Sequence, residues 1–305
     1  MVRKNMVIAE FVSEQINLLR EENRFGTANN YEKTIKSFMN FVGNKKLTFS
    51  SFNEKLISDY NIYLIRRGLM RNSISFYMRN MRAIYNKAVK KKIIVKKELF
   101  TEVYTGIDKT RKRAVNESII SKLYQLRLSD NSSLSLTRDI FIFSYCMRGM
   151  SFVDIAYLRK SDISKDTIRY CRRKTKQLIN VKIEPCMKSI INRYKKLSSY
   201  YVFPIIKSDD NNEAYRQYRS AINVYNRNLG ILSNMVECGC KLSSYTARHS
   251  WATAARTHNI PLSVISAGMG HNSETTTQIY LKSIEDEVVD MANAEIISQL
   301  ITDNL

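Results

Sequence analysis

Negative charge is what this sequence has little of. It carries 28 Asp and Glu against 49 Lys and Arg in 305 residues, a formal net charge of +21. The acidic side chains form no dense cluster, so nothing supports a nuclease that clamps hard cations between carboxylates. There is no GxxxxGK loop to cradle a nucleotide and no HExxH pair to hold zinc. No apolar run reaches the ~18–20 residues of a membrane span, and the opening MVRKNMVIAEF lacks the apolar core of a secretory signal. The five cysteines (Cys146, Cys171, Cys186, Cys238 and Cys240) are an odd number without paired spacing. Cys238 and Cys240 are too close for a typical zinc pair, and no second pair follows them. A reduced, cytoplasmic protein without a resident metal or cofactor, and off the membrane, is expected.

What is present is cationic and helical. A basic excess of this size implies a polyanionic partner, and nucleic acid is the usual one. The excess is uneven: residues 1–114 carry 24 basic and 10 acidic side chains, residues 115–305 carry 25 and 18. The chain is long enough for two separate cores. Apolar residues recur at helical spacing four times in the first hundred positions. The stripes are Ile8, Phe11, Val12, Ile16 and Leu19; Tyr31, Ile35, Phe38 and Val42; Phe52, Leu56, Tyr60 and Leu64; and Ile74, Met78, Met81, Tyr85 and Ala88. Ser51 with Glu54 three residues on reads as a capping box opening the third helix. On the fourth, Arg79, Arg82, Lys87 and Lys90 lie off the apolar side, where cations can meet phosphates.

Residues 91–114 are basic at both ends and poorly periodic, so a linker is expected over 98–114, between a domain of 1–97 and one of 115–305. A helix opens at Asn116-Glu117, and further helices are expected over Met187–Leu197 and Tyr215–Leu229. Before Met187, alternation on either side of the polar tip Arg172-Arg173-Lys174-Thr175-Lys176-Gln177 reads as a β-hairpin. The acidic amphipathic stretch IEDEVVDMANAEIISQLI near the C-terminus carries an apolar stripe suited to a partner.

The chemistry concentrates in SYTARHSWATAARTHNIPLSVISAGMGHNSETTTQIYL, residues 244–281. Arg248 is followed after 23 residues by His271, in a Gly-His turn, and after a further nine by Tyr280. An arginine can clamp a phosphate through two parallel N–H donors. A histidine can donate to a phosphate oxygen, and a tyrosine hydroxyl can attack phosphorus to form a covalent intermediate. The combination points to phosphoryl transfer by side chains alone.

These residues and intervals resemble the C-terminal signature of the tyrosine recombinase (phage integrase) family: an arginine in an RH-S/T-W/F-A-T helix start, a GH turn, and a nucleophilic tyrosine nine residues later. The resemblance covers nearly the whole chain. It implies a mainly α fold, with a SAM-like four-helix core-binding domain followed by a mixed α/β catalytic domain with a small antiparallel sheet. The implied activity is site-specific DNA recombination through a 3′-phosphotyrosine. Tyr280 is the implied nucleophile, and Arg248, His271 and an earlier arginine hold the phosphate. Lys174, in Arg172-x-Lys174-Thr175, is the implied general acid, and its neighbour Arg172 is expected to touch DNA.

Two positions depart from the family pattern. Where the first arginine is expected stands Ser151; Arg148, three residues earlier, is expected to substitute from the same helical face, with Asp154 buttressing the arginines. Where the pattern has a histidine three residues before Arg248 stands Tyr245, a phenol able to hydrogen-bond phosphate but a poor base. His249 is an alternative base and His258 reads as a surface turn residue. The expected partners are double-stranded DNA bearing specific sites and a homotetramer in the synapse, joined through the C-terminal helix; an accessory DNA-bending protein is left open. Inversion or resolution is favoured over phage integration by the short N-terminus. A type IB topoisomerase-like relaxer and a catalytically inactive DNA-binding regulator are the alternatives.

Overall fold

The computed structural model describes residues 6–271 apart from 45, 109–113, 131 and 199, together with 293 and 297. The chain divides into two compact units, Met1–Thr110 and Arg111–Leu305.

The first unit is built on the four helices that the apolar stripes foretell: α1 (Ile8–Glu21), α2 (Phe25–Val42), α3 (Glu54–Arg66) and α4 (Arg71–Lys90). Ile8, Phe11, Val12, Ile16 and Leu19 of α1 and Ile74, Met78, Met81, Tyr85 and Ala88 of α4 are all buried in one core. Inside it the Tyr60 hydroxyl of α3 donates to Ser37 Oγ of α2 at 2.9 Å, so this polar tip carried into the core is satisfied. The cap of α3 differs from the expected one. Ser51 ends a short 3-10 turn that buries Phe49, and Asn53 is the cap, its Oδ1 accepting from Leu56 N at 2.9 Å. The cap must be extended, and Asn53 is the residue that leaves the turn in that conformation.

After α4 the chain stays on this unit. Leu99, Phe100 and Val103 join its core, and the Tyr85 hydroxyl accepts from Lys97 N at 2.6 Å. The Asn72 side chain brackets Asp108, taking its N–H at 2.8 Å and donating to its carbonyl at 3.0 Å. Within 98–108, where aperiodic spacing had suggested a linker, Leu99, Phe100 and Val103 are therefore packed. Irregular chain buries apolar residues at no fixed interval, so a periodicity argument passes over it.

The second unit is organised on α6 (Ser133–Cys146), which packs against α5 (Glu117–Gln125), α7 (Phe152–Ala156), α8 (Pro185–Tyr194), α9 (Asn211–Met235) and α10 (Thr246–Thr257). Ile140, Phe141, Ile142 and Phe143 are buried consecutively, as in a helix covered on every side. Its buried Asp139 is held by Arg138 at 2.8 Å, Arg193 at 2.5 Å and the Tyr194 hydroxyl at 2.8 Å. Helix α9 is longer than its apolar pattern indicates, because Asp210 in the preceding polar run caps it by accepting from Glu213 N at 2.8 Å. The expected hairpin is present as β2 (Thr167–Cys171) and β3 (Leu178–Lys182), with β1 (Ile163–Ser164) added at the edge of β2; all pairs are antiparallel. Two residues carry no alternation, so β1 left no trace in the sequence. Ile168, Tyr170, Ile179 and Val181 face inward from the hairpin. Helix α11 (Leu262–Met269) completes the described part of the unit. No described helix is long and apolar enough to cross a membrane.

Candidate active site around Arg248

Helix α10 starts where Thr246 folds back on Ser243: Thr246 N donates to Ser243 O and Ser243 N donates to Thr246 Oγ1, both at 2.9 Å. This places Arg248 in the first turn, pointing inward and only 5% exposed. Its Nη1 donates to Gly149 O at 2.8 Å and its Nη2 to Met269 O at 2.7 Å. Nη2 also lies 2.9 Å from His271 Nε2. Arginine has no acceptor, so in this pair Nε2 takes the bond and the imidazole proton sits on Nδ1.

Two glycines make these contacts possible. Gly149 has φ +75°, and a Cβ there would stand 2.6 Å from Arg248 Cα. Only a bare residue lets α10 approach the turn between α6 and α7 this closely. Gly270 ends α11 in the left-handed region at φ +63°, with His271 N returning to Ser266 O at 3.1 Å. A Cβ on Gly270 would meet Ile179 Cδ1 at 2.5 Å and Arg172 Cδ at 3.0 Å. The Gly-His turn is thereby pressed onto the hairpin.

Arg172 lies at the end of β2 and is only 7% exposed. Its Nη1 donates to Gly270 O at 2.5 Å and Met269 O at 3.2 Å. This nitrogen, on the residue expected to touch DNA, is held by backbone carbonyls. Just beyond it, Arg173 N donates to Asp154 Oδ1 at 2.9 Å, and Ser151 Oγ donates to Asp154 Oδ2 at 2.6 Å. The buried Asp154 thus ties the hairpin tip to the start of α7. Lys174 itself is exposed at that tip. On the other side of the tip, Thr175 Oγ1 and Gln177 Oε1 are buried with no hydrogen-bond partner.

Arg148 and Ser151 do not share a helical face. Arg148 and Gly149 are consecutive left-handed residues, φ +57° and +75°, between α6 and α7. A left-handed arginine is disfavoured by roughly 1–2 kcal/mol, and here the turn is locked by Gly149 N and Met150 N on Ser144 O and by Ser144 Oγ on Met150 O. The Arg148 side chain runs over α11, its Cδ 3.4 Å from where a Gly268 Cβ would stand. Its charge acts on the buried Tyr170 hydroxyl, as do those of Arg248, Arg172 and Asp154. Burial leads in pushing that phenol above its ordinary range, so Tyr170 is a neutral hydroxyl among the cations. Alternation along β2 marks Tyr170 as inward-facing; only the fold shows what it faces.

His271 is held down to about 4, by burial first and then by the charges of Arg248, Arg172 and Lys174. At neutral pH it is an uncharged imidazole inside a ring of cations. Tyr245 is 54% exposed beside His249, with ring centroids 6.2 Å apart. His258 is a surface residue, its Nε2 3.0 Å from Glu117 Oε2. Tyr280 and the acidic C-terminal stretch, apart from 293 and 297, lie outside the described residues. In the first unit Arg82 and Lys90 are exposed and Arg79 and Lys87 half-buried along α4; Arg82 Nη1 donates to Thr105 Oγ1 at 3.1 Å and Arg79 Nε to Ser75 O at 3.4 Å.

Two family models match the chain: the phage integrase SAM-like domain over residues 7–103 and the phage integrase family over residues 117–287. No curated protein sequence matches it. Among solved structures, a lambda integrase (75–356) dimer bound to a COC′ core site is similar at 15% identity and a TM-score of 0.61, covering 90% of this chain and 95% of that one. A Tn1549 transposon integrase in complex with transposon right end DNA is similar at 13% identity and a TM-score of 0.62, covering 94% and 100%. A lambda integrase tetramer bound to a Holliday junction gives 14% identity and a TM-score of 0.60, covering 92% and 78%. At these identities the structural likeness speaks to the fold.

Proposed function

The chain belongs to the phage integrase family of site-specific tyrosine recombinases, and from that membership we propose how its own residues break and rejoin DNA. The Tyr280 hydroxyl attacks the scissile phosphorus, its proton passing to solvent water. A phosphorus–oxygen bond to the phenol forms, the bond to the DNA 5′ oxygen breaks, and the DNA 3′ end is left on the protein as a phosphotyrosine. Arg248, Arg148 and His271 hold the non-bridging oxygens, with Tyr245 and Ser151 as lesser contributors. Lys174, free at the hairpin tip, supplies the proton that the departing 5′ oxygen needs. Rejoining is the reverse, a 5′ hydroxyl attacking the phosphotyrosine and returning the proton. The link conserves the energy of the broken bond, so the step consumes no nucleotide.

The observation that carries this reading is the convergence on His271. Arg248 Nη2 stands 2.9 Å from its ring, and the charges of Arg172 and Lys174 reach the same imidazole. Such a concentration of positive charge held on buried backbone suits a dianionic phosphorane, where electrostatic stabilisation exceeds its value in water.

The partner is DNA. The first unit grips the duplex through the basic side of α4, and the second performs the chemistry. By analogy with the lambda integrase tetramer on a Holliday junction, four copies exchange strands in pairs, joined through residues 284–301 and acting in the cytoplasm. The test is covalent capture: a nicked duplex, selected from a random-sequence library by adduct formation with the parent protein, is presented to parent and Tyr280→Phe. Adduct from the parent alone is expected. An adduct that persists in Tyr280→Phe removes the nucleophile from the scheme.

A further inference from the structure

Arg172 is a buried cation whose contacted nitrogen faces protein. That nitrogen donates to the carbonyls of Met269 and Gly270, the last residue of α11 and its left-handed cap. Those carbonyls are the negative end of a helix dipole, which favours a cation there. The next peptide N–H, that of Arg173, is fixed to buried Asp154. The turn that presents Lys174 is therefore fastened at two consecutive residues, to the Gly270–His271 turn on one side and to α7 on the other.

We propose that Arg172 is a positioning residue: its guanidinium locks the hairpin turn carrying Lys174 onto the turn carrying His271, setting the distance between the proton donor and the group that holds the phosphate. The proposal rests on the reading of Lys174 and His271 given above. Arg172 does not contact DNA or the reacting atoms. It acts through Lys174, whose ammonium must stand at the departing oxygen when the bond to phosphorus breaks. One terminal nitrogen, a bond further out than a lysine's ammonium, bridges carbonyls on two successive residues, while the Cδ methylene lies under Gly270, 3.0 Å from where a Cβ would stand. A lysine presents a point charge and spans this less well.

The experiment compares single-turnover cleavage of two nicked duplexes of the selected sequence. One has the natural 5′ oxygen at the scissile position and the other has sulfur there, which leaves as a thiolate without a proton. For Arg172→Met, a loss of ~10²-fold is expected on the oxygen duplex, the scale of a misplaced general acid. On the sulfur duplex the variant should approach the parent rate, with unchanged DNA affinity. In a Lys174→Ala background, Arg172→Met should add little further loss on the oxygen duplex, as for residues acting in one unit. Arg172→Lys should fall between Arg172→Met and the parent on the oxygen duplex and recover on sulfur; it serves if Arg172→Met does not fold. Equal losses on both duplexes, a loss additive with Lys174→Ala, or a fully active Arg172→Lys would each overturn the proposal. Failure of the underlying reading shows separately, as Lys174→Ala cleaving the oxygen duplex at the parent rate.

Discussion

Arg172 and Arg248 donate to the same oxygen, the carbonyl of Met269, at 3.2 and 2.7 Å. Two like charges are held side by side because the end of α11 offers each a backbone acceptor. The consequence is a fixed concentration of positive charge with a neutral imidazole set in it.

After loss of the Tyr280 nucleophile itself, removing Arg248 should be the change most damaging to cleavage. An arginine that stabilises phosphoryl transition-state charge contributes ~10³–10⁵ in rate, or roughly 4–7 kcal/mol. Arg248→Ala is expected to lose adduct formation by that order while still binding the duplex, measured by quenched-flow trapping and fluorescence anisotropy. Weak cleavage with equally weak binding would instead mark Arg248 as a general DNA contact.

Arg148 and Ser151 give opposite expectations. Arg148→Ala should lower cleavage by orders of magnitude, because its side chain lies over α11 beside the Arg248 cluster. Ser151→Ala should change the rate little, since the Ser151 hydroxyl is already given to Asp154. Reversed results from the same trapping assay would reinstate position 151 as the working one.

Gly149→Ala tests the approach of α10 to the turn after α6. The substitution adds a left-handed alanine, disfavoured by roughly 1–2 kcal/mol, and a methyl 2.6 Å from Arg248 Cα. Urea unfolding should show destabilisation larger than the backbone effect alone, and residual cleavage should fall with the displacement of Arg248. A fully stable, active Gly149→Ala would mean the two backbones can part without consequence.

His271 makes folding stability depend on pH with a definite sign. Its folded value, about 4, is below the ordinary 6.5, so the unfolded chain takes up the proton first. The stability contribution is whole above pH 6.5 and declines as pH falls toward about 4. His271→Gln keeps an acceptor near the Nε2 position but does not titrate. Thermal melts across this window should lose part of their pH dependence in the variant; an identical profile would place the titration elsewhere.

A scaffold prediction concerns Asp139, remote from this chemistry. Asp139→Ala leaves the nearly buried Arg138 without its carboxylate partner and removes the bonds from Arg193 and Tyr194. Breaking a buried pair by deleting one member costs about 3–5 kcal/mol, readable by chemical denaturation. A change below ~1 kcal/mol would mean the pair is solvated in solution.

The helices were legible because each buries one face: Ile74, Met78, Met81, Tyr85 and Ala88 are a spatial row before they are a core. Leu99, Phe100 and Val103 were not, because irregular chain buries side chains without a period. In the site, Arg248 and His271 stood out by spacing and residue type, and they meet at 2.9 Å. What the sequence could not disclose is backbone geometry. The proximity of Arg148 to the cluster had been argued from a helical face, yet it arises from two successive left-handed residues, Arg148 and Gly149. Arg172 likewise reads in the sequence as a DNA contact, since only the cap at Gly270 shows which carbonyls it meets.

The hairpin tip is fastened asymmetrically. Its rising side is pinned at Arg172 and Arg173, while its falling side holds Thr175 Oγ1 and Gln177 Oε1 without partners. The two sides are still tied to each other, Arg172 N donating to Gln177 O and Lys176 N to Arg172 O, both at 2.8 Å, so the spare bonding capacity of the tip is confined to those two side-chain oxygens. An incoming strand that brings donors to those oxygens adds hydrogen bonds beside Lys174 without breaking the ones that pin the turn.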